Sequence, residues 1–532
     1  MTSHTPDGAS PASKQSGIGD APASGPTESV SAARPVDRRS LVDAILDDPV
    51  STGEAQLPSL AGNLAGRSVR EALKQWIGPL DGLSSNDIGR RLNRLVALID
   101  KLLNEQLNAI LHHPKFQRLE AAWRNLRRLV ERVDEERASD EEPDRGIKVK
   151  LLSVSWNELK RDFDRAIDFD QSQLFQKVYE REFGTPGGQP FGVLLGDYEI
   201  SASQGDVAVL QSISGVAAAA FCPFIASPSP AMFGLDDFSG LETSPNLARV
   251  FQQKDYIKWR ALRDTDDSRF VGLVLPRVLA RLPYRNTVSR VDRFSFSEDV
   301  SGPDASKYLW GNAAFAFGEV IVRAFARSGW LAGIRGVERD VDGGGRVTGL
   351  PVHCFATESQ GFAPKCSTDV LVTDTQEREL SDLGFMPLCQ CHDTNHSAFY
   401  GNESVQKPKK YSTPEATRNA RISSMLQYTL CVSRFAHYLK ALARDKIGGF
   451  TEADECERIL HDWIVQYVTP DSEASRSIKA KRPLREARVQ VRPHPAKPGE
   501  YQCVFHLWPH FELDDLVAAV RLDTELGPEL RA

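Results

Sequence analysis

Apolar residues recur at helical spacing between Arg90 and His113, where Leu92, Leu95, Val96, Ile99, Leu102, Leu103, Leu107, Ile110 and Leu111 form one broad stripe. Pro114 suits the first turn of a second helix. In that helix Phe116, Leu119, Trp123, Leu126, Val130 and Val133 alternate steps of three and four, a seam for packing against another helix. The pair reads as an N-terminal helical hairpin. Asp134 to Arg145 is a charged stretch that reads as a solvated loop.

Strand and helix signals then alternate. Ile147 to Val154 reads as a strand, and Ser155 with Glu158 makes a capping box for a helix through Ile167. Gly184 ends a further helix, and Phe191 to Leu195 is a short apolar run bounded by Gly and Pro. A small-residue helix containing Val207, Leu210 and Ala217 to Ala220 leads into Pro223 to Ala226, and Phe270 to Leu275 reads as another strand. A long helix, roughly Lys307 to Arg327, stops at Gly329. This alternation predicts an α/β or mixed α+β body rather than a bundle. No fixed-period repeat is present.

The last quarter of the chain changes character. Helices are predicted over about Pro414 to Ile447 and Glu452 to Val468, bounded by Thr413, Gly448, Gly449, Thr451 and Pro470. After them Ala487, Val489 and Val491 alternate with Arg488, Gln490 and Arg492, and Tyr501, Cys503, Phe505 and Leu507 alternate with their neighbours up to Trp508. That pattern is a long-looped β-hairpin, and Val517 to Leu526 reads as one more strand. Three strands with little sequence left to cover their edges leave open hydrogen-bonding groups, so something is expected to pair with them.

Composition narrows the function classes. The chain of 532 residues carries 65 basic against 72 acidic side chains, a net charge of −7, which argues against a general nucleic-acid binder. Residues 1–40 are rich in Ser, Ala, Pro, Gly and Thr and read as a disordered tail. Residues 41–66 hold apolar positions too sparse for an independent core. No run of about 18 apolar residues and no signal-peptide pattern is present, so a cytoplasmic protein without membrane insertion is expected. Eight cysteines, all from Cys222 onward, suit buried thiols in a reducing compartment.

Chemistry-bearing motifs are weak. Cys389, Cys391, His392 and His396 form the best zinc candidate, because thiolates and imidazoles are the usual ligands. Cys391 and His392 are adjacent, however, and would point oppositely in an extended run, so a strand over Phe385 to Cys391 with inward thiols is the favoured reading. The glycine-rich segments 184–192 and 343–345 lack the lysine and hydroxyl of a phosphate-binding loop. No G-x-S-x-G elbow or H-E-x-x-H helix occurs. Lys407, Lys409 and Lys410 are read as a solvated loop.

Several stretches, in order, carry a resemblance: ILHHPKFQRLEAAWRNL at 110–126, GGQPFGVLLGDYEI at 187–200, YLWGNAAFAF at 308–317, VQKPKKY at 405–411, SRFAHYLKALARDKIGGF at 433–450 and RPLREARVQV at 482–491. PHFELDD at 509–515 closes the series. Together they resemble the large subunit of the type VI secretion contractile sheath, the TssC/VipB/EvpB family, over about residues 41–530. The resemblance implies a structural protein that catalyses no reaction and needs no cofactor. It implies pairing with a small subunit, TssB/VipA, in a helical lattice of copies around a tube of Hcp rings. It also implies a baseplate at one end and recycling after contraction by the ClpV ATPase, which acts mainly on the small subunit.

The expected organisation follows. Residues 1–40 are a tail, 41–145 an arm plus helical hairpin, 146–400 an α/β sheath body, and 401–532 a C-terminal region whose sheet accepts strands from neighbouring protomers. Leu57, Leu60 and Leu64 are expected in the donor arm. Ala487, Val489, Val491, Tyr501, Cys503, Phe505 and Leu507 are expected in the acceptor sheet. Glu512, Asp514 and Asp515 are expected to face the inner tube, and Leu95, Leu102, Trp123 and Val130 to dock the small subunit. The alternatives are a sheath subunit of another phage-tail-like injection particle and, from a different class, a zinc-dependent enzyme using Cys389 and Cys391.

Overall fold

The computed structural model describes residues 84–138, 146–185, 187–243, 246–285, 294–302, 304–337, 343–354, 365–391, 394, 396–446, 453–471, 473–493, 501–510 and 520–526. The chain divides into two units, Met1–Leu103 and Asn104–Ala532, with the boundary inside the first helix, α1 (Ser85–Leu111). In the first unit the described residues are the opening turns of α1. Asp87 closes that start, accepting from the Ser84 N–H at 3.1 Å, the Ser84 hydroxyl at 2.6 Å and Arg90 Nη2 at 2.6 Å. Those bonds hold its carboxyl below the usual range.

The second unit opens with the last turns of α1 and with α2 (Pro114–Arg137), where proline stands at the first helical position and His113 Nδ1 accepts from the Lys115 N–H at 3.2 Å. Asn104 and Asn108, one turn apart on α1, read the main chain of an extended segment. Asn104 donates to the Ser295 carbonyl at 3.1 Å and accepts from the Ser297 N–H at 3.2 Å, while Asn108 accepts from the Asp299 N–H at 2.9 Å. After α2 come α3 (Trp156–Arg165), β1 (Leu194–Ile200), α4 (Gln204–Ala219), β2 (Phe224–Pro228), α5 (Ile257–Arg263) and β3 (Val271–Leu275). Next are β4 (Val278–Leu279), β5 (Trp310–Gly311), α6 (Ala313–Ser328), β6 (Arg346–Val347), β7 (His353–Cys354), β8 (Lys365–Cys366), α7 (Asp374–Asp382), β9 (Met386–Gln390) and β10 (Ser397–Phe399). The chain continues through α8 (Pro414–Ser423), α9 (Leu426–Lys446), α10 (Ala453–Val465), β11 (Leu484–Pro493), β12 (Tyr501–Pro509) and β13 (Val520–Leu526).

The expected mixed α/β architecture is present. A six-stranded sheet runs β1-β2-β3-β9-β10-β6, parallel through β9 and antiparallel beyond it. Every residue of β2 and β3 is buried, the signature of parallel strands covered on both faces. The period of two divides the sheet side chains between two cores. Phe224, Ala226, Leu273 and Leu275 pack with Leu159 of α3, Leu210 of α4, Trp259 of α5 and Leu380 of α7. Ile225, Val274, Met386 and Leu388 pack with Ala313, Phe317 and Ile321 of α6 and with Leu426 and Leu430 of α9. Asn312 caps α6 by accepting from the Ala314 N–H at 2.9 Å, and Gly329, at φ 78°, takes the left-handed turn that ends it.

A third core lies toward the C-terminus. Trp330 stacks on Phe435 of α9 with ring centroids 4.0 Å apart, and Cys456, Leu460 and Ile464 of α10 pack with them against β11 and β12. β11, β12 and β13 form a separate antiparallel sheet in that order.

Three expected elements differ. The long helix after residue 300 begins at Ala313, because Trp310 and Gly311 pair with Val278 and Leu279 instead. The helix expected over Pro414 to Ile447 breaks at Ser424 and Met425, where Ser424 donates its N–H to Ala420 and its side chain to the Arg421 carbonyl, while the Leu426 N–H is drawn to the Asn402 carbonyl at 2.7 Å. Residues 147–154 pair with no described strand, and side chains take the place of a ladder. Arg137 donates to the Ile147 carbonyl at 2.6 Å and the Tyr198 hydroxyl to the Val154 carbonyl at 2.7 Å.

Candidate functional site

α2 presents two unlike faces. Ala121, Asn125, Leu129 and Val133 are buried, and Leu129 and Val133 pack on Val322 of α6. On the opposite face Phe116, Leu119, Trp123 and Val130 are exposed, Leu119 to 57% and Trp123 to 59%. The seam legible in the sequence is therefore mostly the outer one. A run of large apolar side chains left in water on a helix whose other face carries the packing marks an interaction surface. Of the four residues expected to dock a small subunit, Trp123 and Val130 lie on this ridge in the second unit, while in the first unit Leu95 is buried and Leu102 exposed.

The ridge is held by charge. Arg281 bridges Glu120 of α2 at 2.8 Å and Glu298 at 2.6 Å, and it lies over the Tyr284 ring at 4.3 Å. Burial would lower the Arg281 guanidinium, but the hydrogen bonds it donates to Glu298 and Glu120 outweigh it and raise its pKa. Burial likewise pushes Glu120 up, and Arg281 and Arg124 bring it below the ordinary carboxylate value. Breaking a buried pair of this kind is costly because it strands a charge. Arg124 also donates to the Tyr284 hydroxyl at 3.0 Å.

Beside the ridge, the flank of α2 and residues 278–280, 315–319 and 348–351 enclose a cleft of about 440 Å³. Arg128 pairs with the buried Glu319 at 2.5 Å and donates to the Thr348 carbonyl at 3.0 Å. Arg132 pairs with Glu135 at 2.9 Å and reaches Thr348 Oγ1 at 3.3 Å. Burial raises the Glu319 carboxyl against the pull of Arg128, Arg132 and Arg323. Asn125, 4% exposed, also lines the cleft, and among the described residues its Nδ2 has no hydrogen-bond partner. Neither the cleft nor Asn125 stood out in the sequence. The available signal was Asn125, Arg128 and Arg132 at steps of three and four, opposite the apolar seam.

The C-terminal sheet is open along β11. Leu484 is covered on its outer side by Tyr467 and Thr469, and the Val491 N–H points away from β12 to Glu457 Oε2 at 2.9 Å. By alternation the N–H groups of Ala487 and Val489 also face outward. Beyond Leu484 no described strand pairs with that edge. Val489, Val491, Cys503, Phe505 and Leu507 are buried in the third core and Ala487 packs at its margin, so their side chains face this chain's own helices. Tyr501 lies in the central strand, opposite Pro493 and Leu526. Leu57, Leu60, Leu64, Glu512, Asp514 and Asp515 lie outside the described residues.

The other candidates are placed as follows. Cys389 is buried on β9, and burial pushes its thiol up to about 12. The Cys391 sulfur lies 3.6 Å from the Tyr400 hydroxyl, and His392 is outside the described residues. Among the described residues no group of three or more His, Cys, Asp or Glu side chains is arranged to hold a metal. Lys409 reaches Asp266 at 3.5 Å in an exposed loop. No described helix is long and apolar enough to cross a membrane.

A family model described as EvpB/VC_A0108, tail sheath N-terminal domain, matches residues 93–406, and a second, the tail sheath gpW/gp25-like domain, matches residues 415–526. The chain is 41% identical over 447 residues to the type VI secretion system sheath protein TssC1 of Pseudomonas aeruginosa, spanning 84% of this chain and 87% of that one. Against the crystal structure of the sheath tail protein of Desulfitobacterium hafniense it is 10% identical, with a TM-score of 0.29 over 60% of each chain. That superposition is too loose to carry a conclusion.

Proposed function

Because the chain belongs to the VipB/EvpB tail sheath family and is a type VI secretion contractile sheath subunit, we propose that its two unpartnered surfaces are lattice contacts, one for the small sheath subunit and one for strands of neighbouring protomers. The observation that carries this reading is the inverted helix α2, with Leu119 and Trp123 in water and Asn125 and Leu129 inside. A helix of the small subunit, TssB/VipA, covers the ridge of Leu119, Trp123 and Val130.

The family is one of structural proteins, so the work is mechanical. Contacts that repeat without closing generate a helical lattice, and tethering segments keep neighbours joined while rigid bodies slide. The main chain of β11 receives the donor arm, residues 41–66 with Leu57, Leu60 and Leu64, by strand addition. Because Val489, Val491, Cys503, Phe505 and Leu507 serve the chain's own core, the acceptor offers hydrogen-bonding groups rather than side-chain pockets on that face. Glu512, Asp514 and Asp515 line the bore around the Hcp tube. Contraction drives that tube and its effectors outward from a baseplate in the cytoplasm, and ClpV recycles the sheath through the small subunit.

Co-expression with the small subunit tests the reading. The native pair gives tubules in electron micrographs, whereas the double variant Leu119→Asp, Trp123→Asp fails to co-purify its partner while keeping its circular dichroism. Tubules formed by that double variant overturn the assignment of the ridge.

A further inference from the structure

The rim of the C-terminal sheet carries a charge that nothing in the described chain answers. Arg482, Arg485, Arg488 and Arg492 lie on β11 or just before it, all are exposed, and no described carboxylate pairs with any of them. Glu486 is the one acidic residue between them in sequence. Because Val489 and Val491 point into the third core, Arg488 and Arg492 stand together on the outer face, about 13 Å apart along the strand. Their neighbours across on β12 are His506 and Gln502, which bring no negative charge. Exposed arginines on an edge strand guard it against indiscriminate pairing, and they also select by charge what is allowed to pair there.

The main chain alone cannot make that selection. Glu457 holds the Val491 N–H, so the outward N–H groups left for an arriving strand, among the described residues, are those of Ala487 and Val489. So short a ladder leaves the register undetermined, and a slip of one residue would turn every arriving side chain over. Residues 40–66, by contrast, hold Asp43, Asp47, Asp48 and Glu54 and no Lys, Arg or His. An extended 41–48 segment puts Val42, Ala44 and Leu46 on one face and Asp43 and Asp47, four apart, on the other. Pro49 suits the end of an edge strand. We infer that residues 41–48 of a neighbouring copy form the strand that joins β11, with Asp43 and Asp47 across from Arg488 and Arg492 and with Val42, Ala44 and Leu46 continuing the buried face of Ala487, Val489 and Val491. This deepens the strand-exchange reading and rests on it. The spacing of four on both sides matches in either strand direction. The acidic run Asp140 to Asp144 has no large apolar residue to continue the buried face, and Glu512, Asp514 and Asp515 are tied within the connection from β12 to β13.

Charge exchange tests the assignment in the full chain co-expressed with the small subunit. The double variant Arg488→Glu, Arg492→Glu should lose tubules in electron micrographs while keeping its circular dichroism and its co-purified partner, and Asp43→Lys, Asp47→Lys should do the same. Joining all four substitutions in one chain should restore tubules, a rescue that damage to the fold would not produce. Tubules of native length from the Arg488→Glu, Arg492→Glu protein, or no recovery in the fourfold variant, overturn the charge match. Ala487→Pro separates that failure from failure of the reading beneath it. If Ala487→Pro loses tubules while the arginine variant keeps them, strand addition stands and the charge match falls; native tubules from Ala487→Pro overturn strand addition at β11 itself. Recovery of the arginine variant by Glu512→Lys, Asp514→Lys instead would assign the arginines to the closing segment and overturn the arm.

Discussion

α6 and α2 lie against one another, yet they solve opposite problems. α6 is apolar along most of its length, and two of its three charges, Glu319 and Arg323, are buried and satisfied, the first by Arg128 and the second through the Gly344 carbonyl at 2.8 Å, while Arg327 in its last turn pairs with Glu136 of α2 at 3.3 Å. α2 is the more polar of the two, but its largest apolar side chains face water. The difference teaches that hydrophobic periodicity counts the faces that will be covered in the assembly, without saying which are covered within one chain. A helix wholly enclosed by its own chain shows its function in stability. A helix half enclosed shows it in association.

The sharpest way to break this contrast is one truncation on each helix. Phe317, fully buried and set edge-on to Phe399 with centroids 5.0 Å apart, is expected to cost about 3–5 kcal/mol on Phe317→Ala, since the cavity left between sheet and helix cannot collapse. Trp123→Ala should change the stability of the isolated chain by no more than about 0.5 kcal/mol while removing most of the affinity for the small subunit. Urea unfolding followed by circular dichroism reads the first, and co-purification reads the second. Equal losses of stability would mean that the ridge is part of the chain's own core.

Much of the fold was legible because its parts are locally specified. The capping box at Ser155 and Glu158 forms as expected, Gly329 ends α6, and the strands near 224, 271, 386 and 484 sit within a few residues of their expected places. What stayed hidden depends on tertiary competition. Residues 147–154 alternate like a strand, but Arg137 and the Tyr198 hydroxyl claim their carbonyls, leaving Leu151 68% exposed. Val489 and Phe505 show the limit for the site. Their period of two marks one buried face correctly, but it cannot distinguish a face closed by this chain's helices from one closed by a neighbour, and here it is this chain's α9 and α10 that close it.

An enclosed region has a second signature, a histidine that refuses its proton. His437 of α9 is buried with Nε2 3.0 Å from the Ala220 carbonyl and Nδ1 3.3 Å from Arg434. Burial, reinforced by Arg434 and Lys440, depresses its pKa to about 3. A depressed histidine leaves stability complete above the unfolded value of about 6.5 and loses it as pH falls toward the folded value, by about 1.4 kcal/mol per unit. At pH 4.5 the loss attributable to this residue should reach about 2–3 kcal/mol. Denaturant midpoints of native protein and His437→Gln, compared between pH 7 and pH 4.5, isolate it. The glutamine variant should show the shallower decline, and parallel declines would mean that water reaches the His437 ring as it reaches the ridge.

The edge of β11 offers a contrast between adjacent positions. Proline removes one main-chain N–H, which an outer edge of a sheet tolerates and an inner one does not. Alternation from Val491, whose N–H turns outward to Glu457, places the Ala487 N–H on the open side of β11 and the Arg488 N–H toward His506 of β12. Ala487→Pro should therefore cost the chain less than about 1 kcal/mol, whereas Arg488→Pro, at the adjacent position, should cost about 3 kcal/mol or more. If strands from neighbouring protomers complete this sheet, Ala487→Pro leaves the complex with the small subunit intact and shortens or abolishes tubules in electron micrographs. Tubules of native length from the Ala487→Pro protein would place the lattice contact elsewhere, and the edge of β11 would then be open for no mechanical reason.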